Sequence, residues 1–350
     1  MQLTIRVFIA IFIFSLLTGC VKQASLNYRT TNPLLVVEGT LLTDSTPCQV
    51  TLSYSGLFNS AGYQAQNFVN DATVFLKDDM GDSTQLVNQG QGAYLQVNNF
   101  YAQVGHSYSL SITLANGKRY ASFPEKIAPV QKDFELDTFA VTNDYAFDDL
   151  YGMQVEIRTK DPADQQNYYR WTSVDWIARE ATGIPCGFNP CFVYCFQFYN
   201  DPLVHIMSDA AVNGNEMRQQ VALVSPLYTI GKHYIQLKQM SLTRQAYEFW
   251  KLYGEQTTRT GSILDPLPAP IQGNIYNVND STELALGYFE ASDVSTIKLI
   301  FGPEYINAYY TLRNRKNHID QGACYVIYPN AINEAPPGWE DAPLYIVPVY

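Results

Sequence analysis

Apolar and polar side chains alternate at a period of two along most of this chain. The clearest run is Ser107–Leu114. There Tyr108, Leu110, Ile112 and Leu114 fall on one face, and Ser107, Ser109, Ser111 and Thr113 on the other. That spacing predicts a half-buried antiparallel strand. Asn116-Gly117 follows, a pair that tolerates positive φ and predicts a tight type I′ turn into a returning strand, Lys118–Ser122. Upstream, Leu34–Val37, Val50–Tyr54, Ala72–Lys77 and Thr84–Val87 read as strands, the last two joined through the acidic turn Asp78–Asp82. That turn misses the spacing of an EF-type calcium loop and reads as a solvated hairpin tip. Short strands at these intervals, with no helix between them, predict a β-sandwich of immunoglobulin or prealbumin type over 34–130.

Phe123–Val130 carries Pro124 and Pro129, which remove ladder donors and mark a boundary. Beyond it, Phe134–Val141, Gly152–Thr159, Tyr168–Arg179, His233–Leu242, Glu283–Ser292 and Thr296–Phe301 read as strands. The stretch around Cys186–Cys195 reads as a long loop or irregular hairpin. One amphipathic helix is predicted over about 243–259. Ala246, Phe249, Trp250 and Tyr253 form a single stripe on it, and Arg244, Glu248, Lys251 and Glu255 pair along the other face. Trp250 reads as core, packing this helix onto a sheet. The fold class is therefore all-β, with a second β-rich domain over 131–350 that carries this helix.

The first twenty residues break the pattern. Arg6 precedes the unbroken run Val7–Leu17, and Leu17-Thr18-Gly19-Cys20 closes it. The run is too short to span a bilayer and has the layout of a secretory signal. Its ending resembles the bacterial lipobox, in which the cysteine is acylated and becomes the first mature residue. The expectation is a signal peptide over 1–19, a lipid on Cys20 and a polar tether over 20–33. Two acyl chains would hold the protein at a membrane, because each buried methylene contributes about 0.8 kcal/mol. The formal charge of −11, with no basic run, argues against nucleic acid as a partner. Aromatics make up 14% of the chain and charged residues only 16%, which fits a β-rich protein outside the cytoplasm.

With Cys20 acylated, Cys48, Cys186, Cys191, Cys195 and Cys324 remain, an odd number that leaves one thiol over. The cluster Cys186, Cys191 and Cys195 lacks the usual zinc-knuckle spacing, and a loop-stapling disulfide is the better reading. It closes either within the cluster or from one of its members to Cys324. Catalytic signatures are absent: no nucleophile elbow, no His-Glu-x-x-His, no phosphate loop and no dinucleotide fingerprint. Ser295-x-x-Lys298 falls on a predicted strand, where the two side chains cannot share a helical face. His106, His205, His233 and His318 are scattered, and the pairs Asp148/Asp149 and Asp161/Asp164 are what any acidic loop offers. The chain reads as a non-enzyme without cofactor or metal.

Two sets of residues carry a family resemblance. The first is Leu35–Gly39 (LVVEG), Ala72–Val74 ahead of Asp78-Asp79, and Val104-Gly105 leading to Tyr108–Leu110. The second and more specific set is SLTRQAYEFWK from Ser241, TGSILDPLP, IQGNIYNVND and LALGYF up to Phe289. With the lipobox they resemble the Bacteroidota lipoproteins grouped as domain of unknown function 4249. The resemblance implies a place beside TonB-dependent outer-membrane receptors of the SusC type and an accessory or binding role in nutrient uptake. It supplies no catalytic residues. Val21–Ser25 lacks the acidic cluster that marks surface export in such lipoproteins, so either face of the outer membrane stays open. The candidate partner contact is the aromatic run Phe188, Phe192, Tyr194, Phe196, Phe198 and Tyr199, with burial against its own domain as the equal alternative. A stand-alone binder of glycan, peptide or siderophore, and an envelope structural protein, are the other readings.

Overall fold

Alternation becomes pleat from the start. Strands β1 (Leu35–Leu42), β2 (Gln49–Tyr54), β3 (Asn67–Phe68), β4 (Thr73–Asp78) and β5 (Ser83–Gly90) are followed by β6 (Ala93–Leu95), β7 (Ser107–Thr113), β8 (Arg119–Ser122) and β9 (Glu125–Lys126). The second half opens with β10 (Phe134–Thr142), β11 (Tyr151–Lys160) and β12 (Tyr168–Glu180). The two-residue strands β13 (Pro185–Cys186) and β14 (Asn189–Pro190) precede β15 (Tyr194–Tyr199), β16 (His205–Ser208), β17 (Glu216–Pro226) and β18 (His233–Ser241). Helix α1 (Arg244–Thr257) leads to β19 (Gln272–Asn277), β20 (Leu284–Ser292) and β21 (Val294–Phe301). A one-turn helix α2 (Cys324–Ile327) and β22 (Ala331–Ile332) come last. The computed structural model describes residues 33–56, 67–142, 151–163, 165–181, 185–186, 189–190, 194–212, 214–226, 231–258, 270–302, 323–328 and 330–340. The signal segment, Cys20 and the tether up to Asn32 lie outside these, and among the described residues no helix is long and apolar enough to cross a membrane.

The protein is mainly β, as its alternation predicts. The first sheet runs β1-β20-β19-β8-β7-β4-β5-β6-β2, and β2 pairs back onto β1, so the sheet closes on itself. Its one parallel junction is β1 with β20; the other pairs around the ring are antiparallel. Val37, Leu52, Val74, Leu110, Ile112 and Phe289 fill the inside, each almost wholly removed from water.

This closure corrects the domain boundaries. Gln272–Ser292, read from sequence as part of a 131–350 domain, belongs instead to the first sheet. The reason is visible in β20, which contributes Ala285, Phe289 and Ala291 to the first core and pairs the whole length of β1. Backbones come very close here. Gly287 sits at φ +90°, and a Cβ on it would stand 2.0 Å from the Val37 carbonyl oxygen. Gly273 faces it across a bulge, where a Cβ would meet the Gly287 carbonyl oxygen at 1.5 Å. The turn after β7 also differs from expectation. Only Gly117 has positive φ, and Leu114 N donates to Lys118 O while Gly117 N donates to Leu114 O. That is a three-residue loop, since a type I′ turn needs positive φ at both central positions.

In the second half, β10-β11-β17 packs against β21-β18-β12-β15-β22, with β16 also on β12. Met153, Val155, Ile157 and Leu223 from one sheet meet Trp171, Ile235, Leu237 and Phe301 from the other in a second core. Several strands here escaped the sequence reading. β17 is hidden by its polar start, Arg218–Gln220, β16 and β22 are short, and Tyr194–Tyr199, in the stretch read as a long loop or irregular hairpin, is a strand paired with β12.

The chain passes from the first sheet to the β21-β18-β12-β15-β22 sheet with a single residue between β20 and β21. That residue, Asp293, is almost fully buried. Its carboxylate accepts from Thr43 Oγ1 at 2.5 Å, Lys132 Nζ at 2.6 Å and Val130 N at 2.9 Å. Burial pushes its pKa up, but these donors together hold it below the usual carboxylate value.

Candidate functional site

Helix α1 begins at a cap that also serves the core. Thr243 Oγ1 accepts from Ala246 N at 3.1 Å and donates to Glu125 Oε2 at 2.7 Å. Glu125 lies in the proline-flanked stretch yet is only 2% exposed. Its other oxygen accepts from Tyr288 OH at 2.5 Å and Asn274 Nδ2 at 3.2 Å. Burial raises the Glu125 pKa against the pull of these donors, and the nearby Glu290 adds to the rise.

The predicted stripe docks the helix. Ala246 and Phe249 are buried, Phe249 packing on Tyr288 at 4.9 Å and Tyr247 on Tyr168 at 5.0 Å. On the far side Arg244 and Glu248 pair at 2.9 Å, as their spacing predicts. Because Ala285, Phe289 and Ala291 point into the first core, Leu286, Tyr288 and Glu290 face outward beneath the helix. Trp250 Nε1 donates to Glu290 Oε2 at 2.6 Å, and Arg170 Nη1 donates to the same oxygen at 2.7 Å. The Arg170 guanidinium also lies 3.6 Å over the Trp250 ring, a cation–π contact. Ser292 Oγ donates to the remaining Glu290 oxygen.

A groove of about 690 Å³ opens beside this knot. Its floor is the outer face of β1 and β20, with Val36, Glu38, Thr40 and Leu286; Phe249, Trp250 and Tyr253 of the helix form a wall. Glu38 is exposed to the groove, and among the described residues its carboxylate has no ion pair or hydrogen bond. These residues were visible in the sequence only as strand and helix positions. Trp250, read as core, is half-buried and stands at the groove.

The residues singled out from sequence fare differently. Cys195 and Cys324 form a disulfide, the second of the two closures expected. The side chains of Cys186 and Cys191 lie outside the described residues, as do Phe188 and Phe192. Cys48 is a free thiol, and burial pushes its pKa to about 12. Of the aromatic run, Tyr194 is exposed, Phe196 packs on Trp339 at 4.6 Å, and Phe198 on Trp176 at 5.1 Å. Tyr199 leans on the second core. The described part of the run is thus divided between surface and packing.

His106 pairs with Asp79 at 2.9 Å and His205 with Asp201 at 2.9 Å, while His318 lies outside the described residues. His233 is fully buried with Asp175 and Ser225. Asp175 Oδ2 lies 2.8 Å from His233 Nδ1 and also accepts from Ser225 Oγ, whereas His233 Nε2 has no partner. A hydrolytic relay needs the serine at the nitrogen opposite the carboxylate, so this constellation lacks that geometry. Asp148, Asp149 and Asp164 lie outside the described residues. Asp161 sits beside Asp209 instead, and burial together with Asp161 raises the Asp209 pKa. Among the described residues, no group of three or more His, Cys, Asp or Glu side chains is placed to hold a metal ion. Ser295 does lie on a strand, donating from Oγ to the Lys132 carbonyl.

Comparison with known proteins places the chain. A family model described as Domain of unknown function (DUF4249) matches residues 22–298. A solved structure, the two fibronectin type-III domain segment from chicken tenascin, is similar at 12% identity. That match covers 61% of this chain and 92% of the other at a TM-score of 0.18, too low to bear on fold or function. No curated protein matches. The family model takes in the first sheet, the β10-β11-β17 sheet, helix α1 and every strand that floors the groove, and the chain belongs to the DUF4249 family.

Proposed function

We propose that this chain is a lipid-anchored, non-catalytic accessory or binding subunit of a nutrient uptake system in the outer membrane of a Bacteroidota cell, working beside a SusC-type TonB-dependent receptor. One observation carries the binding role. The segments LVVEG, SLTRQAYEFWK, IQGNIYNVND and LALGYF, far apart in sequence, all contribute residues to a single groove. A non-catalytic role fits the groove's neighbours, since Glu125 and Glu290 spend their oxygens on fixed donors. The lipobox supports the anchor at Cys20. A tether at a membrane surface raises the effective concentration of any partner there, so even a small interface would suffice. Tyr194, exposed on β15, is the described member of the aromatic run best placed for such a contact.

The test is purification from gently solubilised outer membranes after crosslinking in cells. A SusC-type barrel is expected to accompany the wild-type protein. Cys20→Ala is expected to lose both a metabolically incorporated fatty-acid label and the barrel. Wild-type protein that purifies alone overturns the uptake reading and leaves a stand-alone binder of glycan, peptide or siderophore, or an envelope structural protein. Label retained in Cys20→Ala overturns the anchor.

A further inference from the structure

We propose that the groove beside helix α1 binds an organic cation: a primary ammonium carried on a flat apolar body. This rests on reading the groove as a binding site and names what it takes. Two charged side chains line it, Glu38 and Arg170. The Arg170 charge is already answered, because its guanidinium is bonded to Glu290 and stacked on Trp250. Glu38 is not answered. It stands on β1 between Val36 and Thr40, on the face turned away from the core, and has no partner among the described residues.

The groove therefore presents one uncompensated carboxylate beside an aromatic wall. Tyr253 keeps 40% of its surface exposed there. A carboxylate favours an ammonium by direct charge, and an aromatic face favours it through the ring quadrupole. The apolar floor of Val36 and Leu286 suits the body that carries the charge. An anionic ligand would meet Glu38 with no free positive charge among the described lining residues to offset it. The chain's formal charge of −11 adds a long-range preference of the same sign.

The probes are 2-phenylethylamine, its neutral counterpart 2-phenylethanol and its anionic counterpart 3-phenylpropionate. Binding to the lipid-free mature protein is read by shifts of the tryptophan indole signals in NMR. The amine is expected to bind, and the acid to bind more weakly than the alcohol. Glu38→Gln is expected to weaken the amine about fivefold at low salt and leave the alcohol unchanged. Because Glu38 has no partner, that variant should melt with the wild type, so lost binding is not lost fold. Equal binding of amine and acid, or an amine affinity indifferent to Glu38→Gln, overturns the cation assignment. Amine binding that leaves the Trp250 signal unmoved overturns it as well. If all three probes fail to bind while the barrel still co-purifies, the ligand class is wrong and the uptake reading stands.

Discussion

Replacing Cys195 and Cys324 together by alanine is expected to lower the free energy of unfolding by about 4–5 kcal/mol. The bond joins β15 to the one-turn helix α2 across 129 residues of chain. In the chain-entropy account, a crosslink stabilises by restricting the unfolded ensemble, and a loop this long stands near the top of the usual range. The bond also anchors a small cluster in which Cys195, Cys324, Ala181 and Tyr328 are all buried. Tyr328 OH donates to the Glu180 carbonyl, and Arg179 lies 4.0 Å over its ring, so the disulfide holds this last turn against β12. Urea titration of the double variant, with the wild type in parallel, measures the loss. A change below about 1 kcal/mol would mean that packing alone fixes α2, and that the unfolded chain is already constrained.

Glu125→Ala is expected to cost about 3–5 kcal/mol, because it strands the hydroxyls of Tyr288 and Thr243 and the Asn274 amide around a vacated site. The loss reaches several elements at once: the β9 strand, the helix cap, β19 and β20 all meet at this carboxylate. Glu125→Gln keeps the shape and should cost less. The pH dependence has a definite sign. A carboxyl whose pKa is raised on folding contributes stability that is complete below its unfolded value of 4.5 and is lost as pH rises through the folded value. The glutamine variant lacks that loss, so its deficit against the wild type should shrink as pH rises above 4.5. A deficit that instead grows with pH would show that the hydrogen bonds, rather than burial, decide the charge state of Glu125.

What could be read in advance follows the range of the interaction. Ser107–Thr113 and helix α1 were legible because their signals are local: a strict period of two, and an apolar stripe at spacings of three and four. The Arg244–Glu248 pair was legible for the same reason. Ring closure was not, since nothing in LVVEGTLL or LALGYFEAS says which strand lies next to which. Glu125 misled most. Between two prolines a glutamate looks like linker surface, and only the return of β19 and β20 from the distant half buries it. The groove inherits the same blindness. Glu38, Trp250 and Arg170 are unremarkable on their own strands and helix, and they become one site only through tertiary packing.

The parallel pairing of β1 with β20 also sets a timetable. As the chain is made from its N-terminus, β1 is among the first strands to appear, and its partner edge stays empty until residues 284–292 have followed. Through that interval Val36, Glu38 and Thr40 lie on a strand with unpaired backbone donors and acceptors, the kind of edge that recruits other chains. Closure must bring residue 35 to residue 285, and contacts of such separation form slowly. Until then that edge is open to pairing with other chains, and a nascent chain cut before Leu284 keeps it open.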